Sequence, residues 1–157
     1  MKSNNEIAGK VGVIYAWLDE QLNQSKASGE CGLCGKCCDF DSFGHKLVVT
    51  SPEMIYFAHK LGPKNIKKIT NGRCSFQVEG SVLSTEMVSL SNHKCTVYPY
   101  RFSGCRIFSC KGDATFQSDL TETTIKKFKT LCDEFQIPYR YVDLPTALQN
   151  FTAANVV

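Results

Sequence analysis

Long apolar runs are absent from this sequence, and their absence sets the first limit on what the protein can be. No stretch approaches the roughly 20 apolar residues that a bilayer-spanning helix needs. The N-terminal segment also lacks an apolar run of signal-peptide length, because Glu6, Lys10 and Asp19 interrupt it. We therefore expect a cytoplasmic protein with no membrane partner, in a compartment that keeps thiols reduced.

Strong charge and well-known catalytic motifs are also missing. The formal net charge is only +3, which by itself indicates neither a nucleic-acid nor a membrane partner. The two basic clusters, at 64–73 and 126–129, lack the interleaved aromatic residues of a base-stacking platform, so a nucleic-acid partner is disfavoured.

The chain has no Gly-rich phosphate loop, no G-x-S-x-G and no H-E-x-x-H motif. Whether the protein is an enzyme stays open, with a Cys–His nucleophile as the weaker hypothesis.

Cysteine is the residue that the chain has in excess. Its 157 residues include nine cysteines, an abundance typical of a disulfide scaffold or a metal site. A reducing compartment and the odd number favour metal. The predicted ligands are eight of the nine: Cys31, Cys34, Cys37, Cys38, Cys74, Cys95, Cys105 and Cys110. Cys132 falls on the apolar stripe of a predicted helix, where we expect an inert core residue.

The first four ligands form the run Cys31-x2-Cys34-x2-Cys37-Cys38. A C-x2-C turn brings two sulfurs to one side of a tight loop, as a metal ion or a cluster requires. The run resembles the start of a bacterial ferredoxin motif, but Cys38 follows at once, without a three-residue spacer. Neighbouring side chains of an extended backbone point to opposite sides, so Cys37 and Cys38 are expected to serve two nearby sites or one larger cluster.

The other four cysteines are scattered, so the fold must gather them. Arg101 and Arg106 lie among them in sequence, and we predict that these arginines stabilise the thiolates and the bound cofactor. We expect His93 to be an ordinary surface histidine, and a ligand in a Cys3His site is the alternative for it. Thiolates suit both iron–sulfur clusters and Zn2+. The ferredoxin-like start favours an iron–sulfur cluster, [4Fe–4S] in particular, and Zn2+ is the other candidate.

The cysteine pattern as a whole resembles a known family. Its parts are the Cys-x2-Cys-x2-Cys-Cys run, Cys74 before Phe76, Cys95-x2-Tyr98-x2-Arg101 and Cys105-Arg106-x-Phe108. Together, over about residues 29–110, they resemble the YkgJ-type proteins, which are described as zinc- or iron-chelating cysteine-cluster domains. The resemblance implies metal chelation. A similar cluster accompanies flagellin lysine methylases, which implies an accessory role beside a modifying enzyme. The chain departs from the family at Arg101-Phe102, where members commonly have Arg-Pro.

The predicted fold class is α+β, a small single domain with helices around a loop-rich, cysteine-ligated centre and a few short strands. We predict one domain over 1–157: an N-terminal helix in 1–28, a cysteine-cluster core in 29–110 and a helical region in 111–157. Apolar spacing predicts a helix from 4 to about 24. Capping signals predict helix starts at Thr50, at Asp119 and near Pro145. The segment 73–98 is strand-like and 99–118 is expected to be irregular.

These features lead to one functional hypothesis and one alternative. The first is a metal-binding protein that holds iron–sulfur cluster(s) or zinc through about eight thiolates and serves a partner protein as a redox or accessory component. The alternative is a structural zinc module for protein or nucleic-acid contacts. Metal storage is a third role without independent support.

Overall fold

The computed structural model describes residues 3–26, 36–44, 46–79 and 93–152. Helices predominate in this part of the chain: α1 (Asn4–Gln24), α2 (Phe40–Phe43), α3 (Ser51–Leu61), α4 (Ser103–Ile107), α5 (Ala114–Phe135) and α6 (Leu144–Gln149). The strands are β1 (Val48–Thr50), β2 (Gln77–Glu79), β3 (His93–Cys95) and β4 (Tyr141–Asp143). Short 3₁₀ turns occur at Lys36–Cys38, Pro63–Asn65 and Tyr98–Tyr100. The predicted α+β fold class is confirmed.

The strands form two small antiparallel pairs. β1 pairs with β4, with Val49 opposite Val142. β2 pairs with β3, with Gln77 opposite Cys95. The β1–β4 pair ties the start of α3 to the start of α6, because each strand runs directly into a helix. The β2–β3 pair brings a predicted metal ligand next to the segment that follows Cys74.

The first apolar core lies between α1, α3 and α5. α1 begins at a capping box in which Ser3 and Glu6 exchange hydrogen bonds, and the helix ends at Gln24, close to the predicted position. Its buried face contributes Ile7, Val11 and Tyr15, whose successive spacing of four residues brings them to one side of the helix. These residues pack against one another and against the other two helices in a cluster of Ile7, Ala8, Val11, Tyr15, Ile55, Tyr56, Phe128 and Leu131.

The second core lies beside the cysteine-bearing segments. It includes four phenylalanines. The Phe57 ring is in edge contact with Phe76 at 5.2 Å between ring centroids and tilted against Phe102 at 4.8 Å. Leu144 and Leu148 of α6 are almost fully buried in it. Three predicted ligands, Cys74, Cys95 and Cys105, are half-buried against this cluster. Their thiols therefore lie at the edge of a preformed apolar core.

Three parts of the predicted secondary structure need correction. The helix expected to start at Asp119 begins at Ala114, because Asp113 accepts a hydrogen bond from the Phe116 N–H at 2.7 Å and is the N-cap. The supposedly irregular segment 99–118 contains α4 and the first turn of α5. In the strand-like segment 73–98, the described residues 73–79 and 93–98 form strands only at β2 and β3, and the middle, 80–92, lies outside the described residues.

Candidate metal centre

Five of the eight predicted ligands line one cavity of about 100 Å³. They are Cys37, Cys38, Cys74, Cys95 and Cys105. They come from four separate segments of the chain, and each is half-buried. We refer to this cavity as the cysteine pocket. Cys31 and Cys34 lie outside the described residues.

A short antiparallel contact brings Cys38 beside Cys74. Asp39 and Arg73 form an isolated β-bridge, and their side chains form an ion pair with 3.3 Å between the guanidinium and the carboxylate. The Cys74 N–H donates to the Cys38 carbonyl at 2.7 Å. Gly72 precedes the bridge with φ of 69°, in the left-handed region that glycine adopts without strain. The bridge thus joins the first cysteine run to the mid-chain cysteine.

The adjacent cysteines both face the cysteine pocket, contrary to the expectation that they point to opposite sides. The expectation assumed an extended backbone, whereas Lys36–Cys38 is a 3₁₀ turn. Three residues per turn place neighbouring side chains about 120° apart rather than 180°. The Cys37 and Cys38 thiols are hydrogen-bonded to each other. The reason for assigning them to two different sites is therefore removed.

Cys95 reaches the pocket through the β2–β3 pair. It lies opposite Gln77, whose N–H donates to the Cys74 carbonyl at 3.2 Å. The next residue, Thr96, fixes this register, because its N–H and its hydroxyl both donate to the Phe76 carbonyl, at 2.8 and 2.7 Å. Cys95 and Cys74 are thus held on one local framework.

Cys105 is positioned by α4, whose start is anchored to α3. The Ser103 N–H in the first turn of α4 donates to the Glu53 carboxylate at 2.7 Å. Gly104 lies against Leu47, so a Cβ at this position would come within 2.5 Å of the Leu47 Cδ1 atom. The close approach of α4 to the chain before β1 brings Cys105 to the wall of the pocket.

The electrostatics of the pocket divide its thiols into two kinds. Hydrogen bonding with Cys38, whose single S–H proton is shared between its two neighbours, lowers the pKa of Cys37 to about 6 and the pKa of Cys74 to about 7. Hydrogen bonding to these two neighbours raises the pKa of Cys38. Burial raises the pKa of Cys95 and of Cys105. Because metals bind thiolates, loading this pocket with metal would release protons from the second group.

Arg101 lines the pocket, as predicted from its position among the cysteines. Its guanidinium lies 3.6 Å from the centre of the Tyr98 ring. It donates to the Tyr98 carbonyl at 3.1 Å and to the Cys105 carbonyl at 3.3 Å. Its positive charge also lowers the pKa of Cys37, Cys95 and Cys105, although it is not the largest influence on any of them. Arg101 is thus held in place to offset negative charge on bound thiolates.

Arg106 does not line the pocket, so the structure does not place it where a cofactor-binding residue would be. Its guanidinium forms a 2.8 Å ion pair with Asp19 of α1 and lies 4.2 Å from the centre of the Tyr15 ring. It also donates to the carbonyls of Arg101 at 2.8 Å and Pro99 at 3.0 Å. Arg106 therefore links α1 to the turn that carries Arg101, and acts on the pocket only through that turn.

The remaining cysteines and histidines lie elsewhere. Cys110 is exposed in the turn after α4 and is not among the residues that line the pocket. Cys132 is buried in α5, away from the pocket lining, which agrees with its predicted place in the core. His59 is exposed on α3. His45 and the side chain of His93 lie outside the described residues.

The walls of the pocket are aromatic and aliphatic. Phe40, Leu47, Phe102 and Leu144 close it on the core side. Tyr98 and Phe108, exposed by 47% and 39%, lie toward solvent. Tyr98 and Phe108 belong to the cysteine pattern in the sequence, whereas Phe40, Leu47 and Leu144 do not. Phe40 stands two positions after Cys38, but Leu47 and Leu144 are brought to the pocket by the fold, without a local signal in the sequence.

The donor set fits a thiolate-bound metal, although the sulfurs are not arranged around a single point. Among the described residues, no three His, Cys, Asp or Glu side chains are placed to hold one metal ion. Cys38 instead forms thiol hydrogen bonds with Cys37 and with Cys74. Five sulfur donors, a guanidinium and apolar walls are nevertheless the chemistry that soft metal centres use.

Comparisons with protein-family models, with curated proteins and with solved structures found no significant match to this chain. The resemblance to the YkgJ-type family therefore stays a prediction. None of the helices in the described part of the chain combines the length and the apolar character needed to cross a membrane.

Proposed function

We propose that the cysteine pocket binds a thiolate-ligated metal centre, a [4Fe–4S] cluster in the first place, and that the protein is a cytoplasmic redox or accessory component for a partner enzyme. The supporting observation is the convergence of five thiols from four segments of the chain on one cavity. Cysteines that serve only as small core residues would not be expected to converge on one cavity. Cys132, which lies in the interior without contributing to the pocket, illustrates that alternative.

The preference for iron over zinc rests on the sequence, with some support from the pocket. The run Cys31-x2-Cys34-x2-Cys37 has the spacing of three successive ferredoxin ligands. The apolar walls would limit the access of water, which is one of the factors that set a cluster's reduction potential. Zinc would be held by the same sulfurs, and the protein would then be a structural module. The proposed membership of the YkgJ-type family covers both metals.

The first experiment is to purify the protein anaerobically, without added metal, and to measure iron, acid-labile sulfide, zinc and the visible absorption spectrum. A brown protein with equal amounts of iron and sulfide, whose colour bleaches on reduction and returns on reoxidation, would support the redox proposal. A colourless protein with stoichiometric zinc would favour the structural module. A folded protein that binds neither metal would contradict the proposal.

A pair of matched variants tests the location of the metal. Cys105→Ser and Cys132→Ser each replace a thiol within the fold by a hydroxyl, so both carry a similar cost in packing. Only Cys105→Ser should lower the metal content, because Cys105 lines the pocket and Cys132 does not. Full metal content in Cys105→Ser would exclude the pocket as the site. Cys110→Ser, measured beside them, shows whether the exposed cysteine contributes a ligand.

A further inference from the structure

We propose that Cys38 and Cys74 are a disulfide-forming pair, which closes by exchange with a low-molecular-weight disulfide when the cysteine pocket carries no metal. The antiparallel contact at Asp39 and Arg73, described above, sets Cys38 opposite Cys74. The part of this inference that concerns metal rests on the proposed function, whereas the formation of the disulfide does not.

The backbone places the two residues directly opposite each other. Asp39 and Arg73 are the bridged pair, so one step outward on each strand leads to Cys38 and Cys74. The 2.7 Å hydrogen bond from the Cys74 N–H to the Cys38 carbonyl marks a hydrogen-bonded position. Opposed residues at such positions have Cα atoms about 5.5 Å apart. This lies within the range of roughly 4.4–6.8 Å that a disulfide requires.

The side chains agree with the backbone. Both residues line the cysteine pocket, so their Cβ atoms project to the same side of the contact. The Cys38 and Cys74 thiols are hydrogen-bonded to each other. Opposed Cβ atoms at a hydrogen-bonded position lie about 5.5 Å apart, so a disulfide between them needs the two segments to approach by about 1 Å in addition to a shift of the sulfurs.

The other pairings open to Cys38 are poorer. Cys37 also contacts Cys38, but Cα atoms joined by a trans peptide are about 3.8 Å apart, which is below the disulfide range. None of the peptide bonds in the described part of the chain is cis. Cys110 and Cys132 do not line the pocket. The geometry thus favours Cys74 over Cys37, Cys110 and Cys132 as the partner of Cys38.

The exchange balances without any other reactant. The thiolate of one cysteine attacks a sulfur of the small disulfide, forms a mixed disulfide and releases one small thiolate. The second cysteine then attacks the mixed disulfide, forms the Cys38–Cys74 bond and releases the second thiolate. The protein loses two protons and two electrons, and one small disulfide becomes two thiols. Excess small thiol reverses both steps.

The disulfide and the metal centre exclude each other, because both need the same two sulfurs. Metal bound in the pocket should protect Cys38 and Cys74 from exchange. Oxidation of the metal-free protein should in turn block loading until the bond is reduced. The pair would therefore make metal loading dependent on the thiol–disulfide balance of the surroundings.

The test treats the reduced, metal-free full chain with oxidised glutathione and follows intact mass and free thiols. We expect the loss of two thiols from the nine in the sequence. Cleavage by trypsin, with remaining thiols blocked, should give a linked pair of peptides, residues 37–46 and 74–94. Fragmentation assigns the bond to Cys38 rather than Cys37. A scrambled set of linkages, or a bond elsewhere, would overturn the inference.

Two variants of neighbouring residues sharpen the test. Cys37→Ser should form the linked peptides as wild type does, whereas Cys38→Ser should form them at least tenfold more slowly. Equal rates in the two variants would contradict the assignment. The metal-loaded protein should resist exchange. A disulfide that forms in a protein that never binds metal would refute the proposed function alone, and a metal-binding protein without this disulfide would refute the present inference alone.

Discussion

Glu53 shows how a single side chain can join the two cores. It is fully buried, and its carboxylate accepts hydrogen bonds from the Thr50 N–H at 2.9 Å, the Thr50 hydroxyl at 2.8 Å, the Tyr15 hydroxyl at 3.1 Å and the Ser103 N–H at 2.7 Å. Four donors satisfy its lone pairs, which is what a buried carboxylate needs. The capping box at the start of α3 thus also anchors α1 and α4.

The substitution Glu53→Gln should destabilise the protein by about 3 kcal/mol. The amide group of glutamine would direct its own donors at neighbouring donors, and hydrogen bonds to a charged acceptor contribute about 1.5–3 kcal/mol each. Urea denaturation measures the change in the free energy of unfolding. Glu122→Gln, at an exposed position of α5, is the control and should stay within about 0.5 kcal/mol of wild type. Equal effects in the two variants would contradict this account of Glu53.

Gly72 is a residue at which a single methyl group should disturb the cysteine pocket. Its φ of 69° disfavours any side chain, and a Cβ would collide with the Asp41 carboxylate. Gly44 has a similar φ of 60° but open space around its Cβ position. Gly72→Ala should therefore cost more stability than Gly44→Ala, which carries only the backbone strain of about 1–2 kcal/mol.

The same pair of variants should also differ in metal content, because Gly72 borders the bridge that joins Cys38 to Cys74. Denaturant unfolding and metal analysis of both proteins, prepared side by side, provide the measurement. A Gly72→Ala protein as stable and as metal-rich as Gly44→Ala would show that the collision with Asp41 affects neither stability nor metal binding.

Gly9→Ala in α1, where nothing lies within 4 Å of the added methyl, should stabilise the protein by about 0.5–1 kcal/mol. Denaturant unfolding measures this change as well.

At the scale of elements, the helices with caps and apolar periodicity were predictable. α1 and α3 combine capping boxes with buried faces at helical spacing, and α6 begins one residue before Pro145. The five residues of α4 are too few to show a period, and its first turn depends on Glu53, far away in the sequence. β4 exists only because β1 pairs with it. Such elements follow from tertiary contacts that the local sequence does not contain.

The N-cap of α6 gives the fold a small acid-sensitive contribution. Asp143 accepts a hydrogen bond from the Thr146 N–H at 3.0 Å. A hydrogen bond from the Thr146 side chain is the largest cause that lowers the pKa of the Asp143 carboxyl, and the bond from the N–H is the second. A carboxyl whose pKa is lower in the folded state stabilises the fold above its unfolded pKa of about 3.9. That contribution is lost as pH falls through the folded pKa.

Asp143→Ala should therefore cost about 1 kcal/mol near neutral pH, the usual effect of losing an N-cap. The difference from wild type should shrink once the pH falls below the unfolded pKa of about 3.9. Asp143→Asn keeps a capping side chain without a titrating group. The difference between its free energy of unfolding and that of wild type should therefore change sign or shrink over the same pH range. Unfolding free energies measured from acid to neutral pH check both curves. A difference between Asp143→Ala and wild type that does not vary with pH would refute the role of the ionised cap.

At the scale of the whole molecule, the cysteine pattern indicated which cysteines meet at the candidate site better than proximity in sequence indicated their neighbours. The chemical type and spacing of the cysteines singled out Cys37, Cys38, Cys74, Cys95 and Cys105, which the fold brings to one cavity. Proximity in sequence failed for Arg106, whose guanidinium contacts α1, and did not bring Cys110 to the pocket. Whether a residue reaches the pocket depends on the direction in which the backbone points its side chain. A residue one or two positions from a ligand can therefore point away from the pocket.

The separation of the core beside the cysteine pocket from the core between α1, α3 and α5 predicts how the protein would respond to the loss of the proposed metal centre. The cysteine pocket borders the core that contains Phe57, Phe76 and Phe102. The core between α1, α3 and α5 is built from aliphatic and aromatic residues and includes none of the pocket cysteines. Since stability varies across a structure, removing the metal should loosen the pocket segments first and leave the helical core in place.

Hydrogen exchange on the metal-loaded protein and on the same protein after chelation tests this division. Amides of Cys74, Gln77 and Thr96, which hold the pocket segments together, should exchange at least tenfold faster after chelation. Amides in the middle of α1 and α5 should change much less, because their packing does not involve the pocket. A uniform acceleration across all segments would mean that the metal holds the entire fold, as in small zinc-dependent domains. An unchanged pattern would mean that the pocket segments are held by the β2–β3 pair and the apolar core alone.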